Sequence, residues 1–259
     1  MLIILIIFTY DKTFDGLLSC VFFAYEQKIF PDSILAEDGQ KPLFVDASYH
    51  VVTEKEKAGR VWKSLEKKLS RFARNMMLSV WLSELPETEM LLFRYIRKNT
   101  DHPKGIEMNF GDDDVLRIKD IALKVGTDAR KLIQFVRFQE TADGIYFAPV
   151  TPSYNVLSLI VPHFKARYAD QPWIIYDTRR NTGLYYDRRS VTEISFSPQT
   201  LSELRLGILD KEKVSEEEAL FQQLWKEYFR SITIKERLNP KVQRAHMPRR
   251  YWKYLTELQ

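Results

Sequence analysis

Sulfur is the first scarcity. The 259 residues contain one cysteine, Cys20, which excludes an internal disulfide and fits a reducing compartment. A single thiol cannot hold an iron–sulfur cluster, which needs several thiolates. The four histidines (His50, His102, His163, His246) lie too far apart for zinc-ligand spacing. Neither His-Glu-x-x-His nor Gly-x-Ser-x-Gly occurs, so the zincin and serine-hydrolase signatures are missing. None of the nine glycines falls in Gly-x-Gly-x-x-Gly or Walker spacing. No metal and no cofactor are therefore expected. Long apolar runs are also absent. Leu2–Phe8 is the longest at the N-terminus; it is far short of the ~20 residues of a membrane span and lacks the basic flank of a signal peptide. It reads as a buried strand, in a cytoplasmic protein with no membrane association.

What the chain does hold is a concentrated charge. Phe229–Tyr254 carries eight basic residues (Arg230, Lys235, Arg237, Lys241, Arg244, Arg249, Arg250, Lys253) against one acid, Glu236, a formal charge of +7. The whole chain is only +4, so a slightly acidic body bears a basic tail. Charge separated in this way faces anionic partners. Arginine's planar fork suits phosphate, and Tyr251, Trp252 and Tyr254 interleave with the cations as base-stacking rings do. The candidate nucleic-acid contacts are Arg230, Lys235, Arg237, Arg244, Arg249, Arg250, Tyr251 and Trp252. The alternative is that Tyr251, Trp252 and Leu255 dock the last helix while the arginines are solvated; both can hold together.

Taken in order, β-branched Ile3–Thr9 forms a strand. Tyr10–Gly16 turns into a helix reaching about Gln27, with Gly16 alone too weak a sign of phosphate binding. Leu43–Asp46 is a second strand. Three helices follow between Thr53 and Asn99, with Ser70 as an N-cap and Pro86 in a first turn. Asp112–Asp114 opens another helix, where dipole complementation explains the three carboxylates more simply than a metal. Gly126-Thr-Asp ends that helix and caps the next, Ala129–Phe135.

The pattern then changes to hairpins. Phe135–Glu140 and Ile145–Val150 flank Asp143-Gly144, and Trp173–Asp177 pairs with Leu184–Asp187. A helix over Asn155–Tyr168, containing Pro162, lies between them, and Ile194–Phe196 adds a strand. Ser215–Glu218 is a capping box opening an amphipathic helix with Phe221, Leu224, Trp225, Tyr228, Phe229 and Ile232 on one stripe. The fold class is α+β: a small N-terminal sheet with helices, a helical middle, two β-hairpins and a helical basic C-terminus. One unit spans 1–259, with sub-regions 1–134, mainly helical, and 135–259, hairpins plus C-terminal helices.

No conventional catalytic centre assembles. His163 and Arg167 share a helical face, and Arg137, Trp173, Asp177, Arg179 and Arg180 come from the neighbouring hairpins. Together they are a candidate pocket for an anionic or planar ligand, with His163 and Asp177 the nearest to catalytic candidates. The plainer reading is a packed histidine and locally paired arginines.

Several stretches carry a resemblance. "FRSITIKERLNPKVQRAHMPRRYWKYLTEL", "FVRFQETADGIYFAPVTPSYNVLSLIVPHFKARYADQPWIIYDTRR" and "YDKTFDGLL" resemble segments of a bacterial domain-of-unknown-function family described as probable DNA metabolism proteins. The likeness runs end to end. It implies association with a radical-SAM protein thought to modify or repair DNA. Some members are fused to a uracil-DNA-glycosylase-like domain; with the sequence ending at Gln259, that domain is not expected here, and no glycosylase motif is present. No catalytic residue follows from the likeness. The leading expectation is a DNA-repair or DNA-modification accessory protein that binds nucleic acid through Arg230–Tyr254 beside a radical-SAM partner, with single-stranded or damaged DNA one option and the strand preference left open. An enzyme acting on a nucleotide or flipped base near His163, and a scaffold docking an acidic protein, are the alternatives.

Overall fold

The structure is a computed structural model describing residues 5–40, 42, 44–103, 105–197 and 215–258. It is α+β, and the chain divides into two compact units, Met1–Gly126 and Thr127–Gln259.

In the first unit, β1 (Ile6–Tyr10) is flanked by β2 (Ser33–Ala36) and β3 (Ala47–His50), both parallel to it. Ile7, Phe8, Thr9 and Tyr10 are all buried, as a central parallel strand covered on both faces requires. The opening residues Ile3 and Ile4, like Leu43, lie outside the described residues. A strand at 43–46 is not what forms. Phe44 is exposed, and Asp46 accepts a bond from the Leu5 N–H at 2.6 Å just ahead of the first β3 pairing. The strand begins one residue after the carboxylate that anchors its entry.

α1 (Phe14–Gln27) starts where the Thr13 hydroxyl accepts from Gly16 N at 2.9 Å, an ordinary N-cap. α2 (Lys55–Lys68), α3 (Arg71–Trp81) and α4 (Thr88–Asp101) are the three expected helices. Ser70 caps α3 through Ala73 N at 3.1 Å. Pro86, however, precedes the α4 cap, Glu87, rather than sitting in the first turn.

α5 (Asp113–Phe135) corrects a second expectation, because Gly126 lies inside it and ends nothing. Val115, Ile118, Ile121, Val125, Ala129 and Leu132 are buried at three- and four-residue steps along the whole helix. Keeping that stripe in phase outweighs the roughly 1 kcal/mol cost of an interior glycine. At its start, Asp112 accepts from Asp114 N and Val115 N, and Asp114 pairs with Arg94 at 2.7 Å and Lys98 at 2.9 Å.

The second unit holds a five-stranded sheet ordered β4-β5-β6-β7-β8. β4 (Gln139–Glu140) and β5 (Tyr146–Val150) form the first hairpin, with Gly144 at φ +76° in its turn, a conformation that glycine adopts freely. β4 is two residues long: Phe135 still belongs to α5, and 136–138 connect the helix to the strand. β6 (Trp173–Asp177) and β7 (Thr182–Tyr186) form the second hairpin, and β8 (Val191–Ile194) extends it, earlier in the chain than Ile194–Phe196. The hairpins merge through parallel β5–β6 pairing, with α6 (Leu157–Arg167) as the crossover. Trp173, Ile175, Tyr176, Phe147 and Phe164 are buried around this sheet.

The C-terminal helices are α7 (Glu216–Ile232), α8 (Pro240–His246) and α9 (Arg249–Trp252), with 3₁₀ turns at Lys235–Arg237 and Thr256–Leu258. Ser215 caps α7 through Glu218 N at 3.2 Å, but the reciprocal half of the box does not form. Glu218 instead accepts from Glu140 N at 3.2 Å, while Ser215 N donates to Glu140 O, which ties the start of α7 to β4.

Candidate nucleic-acid interface and aromatic cavity

The tail is fastened by a carboxylate from α5. Asp128, 4% exposed, accepts from Ser153 N (2.7 Å) and Tyr154 N (3.1 Å) on Oδ2, and from the Tyr251 hydroxyl (3.2 Å) and the Arg250 guanidinium on Oδ1. Tyr251 is 1% exposed, with its ring 5.3 Å from that of Phe135. Burial, and then the Asp128 charge, pushes its phenol up to about 12. Tyr254 and Leu255 are buried as well, and Tyr254 shares a 3.2 Å hydroxyl contact with Thr178. Tyr251 and Arg250 therefore hold the C-terminus in place, Tyr251 buried and the Arg250 side chain half-buried. Trp252 is half-buried, donating to Met247 O at 2.9 Å, with the Arg249 guanidinium 5.9 Å from its ring.

The other candidate cations face outward. Arg230, Arg237, Arg244 and Arg249 are exposed, as is Lys241; Arg230 pairs with Glu227 at 3.3 Å, a solvent-screened contact of little strength. Lys235 lies in its 3₁₀ turn, and its side chain is outside the described residues. Asn239 caps α8 by accepting from Lys241 N and Val242 N, with Pro240 in the first turn. This fixes a short cationic helix. Beside it the last turns of α5 complete a groove of about 390 Å³. Arg130, Lys131 and His246 give it polarity, Phe135, Val242 and Met247 give it apolar surface, and none of the lining residues is acidic. A helix ending at Gly126 would leave Arg130 and Lys131 on a short separate helix, and nothing in the sequence places that helix beside α8.

The seven residues considered as one pocket occupy three places. His163 and Arg167 lie together on the exposed face of α6. Asp177, 0% exposed, is the cap of the β6–β7 turn. Its Oδ1 accepts from Arg179 N (2.9 Å) and Arg180 N (3.2 Å), and Oδ2 pairs with Arg180 Nη1 (2.8 Å). Arg179 and Arg180 in turn both donate to Ser153 O at 3.2 Å. These three side chains hold loops together.

Arg137 and Trp173 alone line a cavity, of about 550 Å³. Phe138, Tyr146 and Tyr168 stand along it with Trp173, and α7 adds Phe221 and Trp225. Arg137 donates to Glu257 at 2.7 Å, and Trp225 Nε1 donates to the same carboxylate at 3.1 Å. Burial would raise the Glu257 pKa, but those bonds, chiefly from Arg137, hold it below the usual glutamate value. The stability this gives is complete above the unfolded-state value near 4.5 and lost as pH falls through the lower folded-state value. Unfolding free energies of wild type and Glu257→Gln should therefore differ at pH 7 and converge towards pH 3. A constant gap would show that the charge is not what Glu257 contributes.

The sequence model of a domain of unknown function, DUF4130, matches residues 86–257. The chain belongs to that family. No curated protein matches the chain. The DUF4130 segment contains the whole groove, the whole cavity and the Asp128 clamp. The β1–α1 turn with Gly16 lies outside it. Among the described residues, no group of three His, Cys, Asp or Glu side chains is placed to hold a metal. No described helix is long and apolar enough to cross a membrane.

Proposed function

We propose that this DUF4130 protein is a cytoplasmic nucleic-acid-binding accessory of DNA repair or modification, contacting the strand through α8 and the last turns of α5. The observation that supports it is the acid-free basic groove between these helices, beside exposed cations on α8 itself. Phosphate recognition needs cations that are not already neutralised, and a groove focuses their field. Arg130 and Lys131 of α5 and Lys241 and Arg244 of α8, with Arg249 at the start of α9 as a fifth, are the contacts this geometry favours. The resemblance adds a radical-SAM partner; retention of such a protein by the tagged chain after nuclease treatment tests that part separately.

Five phosphate contacts give a slope of log Kd against log salt of magnitude about 4.5 on duplex DNA. Combining Arg130→Ala, Lys131→Ala and Arg244→Ala should bring that magnitude down to about 1.8 while leaving the melting temperature unchanged, since the three are surface side chains. Fluorescence anisotropy with single- and double-stranded oligonucleotides at several salt concentrations measures both. Absence of binding, or a slope indifferent to the triple substitution, would defeat the proposal.

A further inference from the structure

The cavity of the second unit is chemically unlike the groove. Its volume of about 550 Å³ falls within the ~300–1,000 Å³ of small-molecule sites. Its rings come from separate elements: Phe138 before β4, Tyr146 on β5, Tyr168 after α6, Trp173 on β6 and Trp225 on α7. On α7, Phe221 remains 57% and Trp225 41% exposed. An amphipathic helix normally buries such a stripe; here two of its rings border an open space.

The cavity's cation is matched, and its free carboxylate is held by neutral donors. Arg137 is paired with Glu257, and Glu218 accepts from Glu140 N and from Gln222 Nε2 (2.9 Å). Among the described residues that line it, no unpaired cation remains to select a phosphate. What the lining offers is donors and amides. The Gln171 amide makes no hydrogen bond among the described residues, and Gln222 keeps its carbonyl oxygen. Trp173 Nε1 and Arg137 Nε are buried without an acceptor, an unfavourable condition for any donor. Tyr146 remains a phenol, its pKa raised by burial and by the Glu140 and Glu218 carboxylates. Stacking faces combined with amides that present both a donor and an acceptor suit a flat ring with a mixed polar edge.

We infer that this cavity receives a nucleobase, stacked against Trp225 and Phe138 and read along its edge by Gln171 and Gln222. The base arrives either on a free nucleoside or on an unstacked strand. Only the second source rests on the groove proposal.

Calorimetric titration with adenosine, guanosine, cytidine and uridine, and with ribose 5-phosphate as control, tests the first source. The same single-stranded oligonucleotide with and without one central abasic gap tests the second. At least one nucleoside should bind saturably below millimolar concentration, and ribose 5-phosphate should not. Trp225→Ala should weaken that binding at least tenfold, whereas Trp225→Phe, which keeps a stacking face, should retain most of it. Gln171→Leu should change which base binds best. The Arg130, Lys131 and Arg244 triple variant should leave nucleoside affinity unchanged. If no nucleoside binds, or Trp225→Ala binds like wild type while folded by circular dichroism, the inference is overturned; strand binding lost only in the triple variant would then still support the groove. Nucleoside binding without strand binding would sustain the cavity and remove the groove. Discrimination against the abasic strand marks a strand-borne base, and nucleoside binding without it marks a free one.

Discussion

Asp128→Ala is expected to lower the unfolding free energy by about 3 kcal/mol, at the lower end of what removing one partner of a buried ion pair costs. Four donors converge on this carboxylate: two backbone amides of the 153–154 loop, the Tyr251 hydroxyl and the Arg250 guanidinium. Alanine removes the acceptor from all four; Tyr251 is buried and the two amides and Arg250 are half-buried, so each donor that water cannot reach adds to the loss. Asparagine should cost less, because its carbonyl can still serve the loop amides. Urea unfolding followed by tryptophan fluorescence measures the difference. Limited proteolysis should cut the variant first in the C-terminal stretch, where Tyr251 and Leu255 have lost their fastening. A loss under about 1 kcal/mol would mean that the clamp is incidental.

The other large effect is expected at Asp177. Alanine there should cost about 3–4 kcal/mol, since the residue is fully buried and its Arg180 partner is nearly so. The carboxylate also receives two backbone N–H groups of the turn that joins β6 to β7, so its loss undoes the hairpin end as well as the ion pair. Asp177→Asn keeps the acceptor and should lose roughly half as much. Thermal unfolding with far-ultraviolet circular dichroism is sufficient. If Asp177→Ala folded with wild-type stability, the capping role assigned to Asp177 would be wrong, and a chemical role for it would return.

Much of the framework was legible because it is local. Ser70 and Ser215 mark helix starts by a hydroxyl placed before an apolar rhythm, and Asp143-Gly144 marks a hairpin by a backbone shape that glycine allows. What escaped depends on partners distant in sequence. Nothing local to Phe147 or Ile174 says that their strands pair in parallel. Gly126 and Asp128 carry the local signs of a stop and a cap, but the buried stripe around them keeps one helix running and turns Asp128 into an anchor. For the same reason Arg250 and Tyr251 read as contacts, when the tail's charge conceals one arginine held by a buried carboxylate. Of the seven residues grouped from the sequence, Arg137 and Trp173 line one cavity, whereas His163 sits one position off the buried Phe164 and so on the outer face of α6.

The Asp128–Arg250 pair also bears on the order of folding. It joins residues 122 apart in sequence, so it encloses almost the entire second unit in one contact loop. Closing such a loop is entropically demanding, and contacts of this separation form late. During synthesis the five-stranded sheet can emerge and pair while Asp128 is still without its guanidinium. The unit therefore completes its core only with its last turns, and a chain interrupted before Arg250 would leave Asp128 without its cation and Phe135 without the Tyr251 ring.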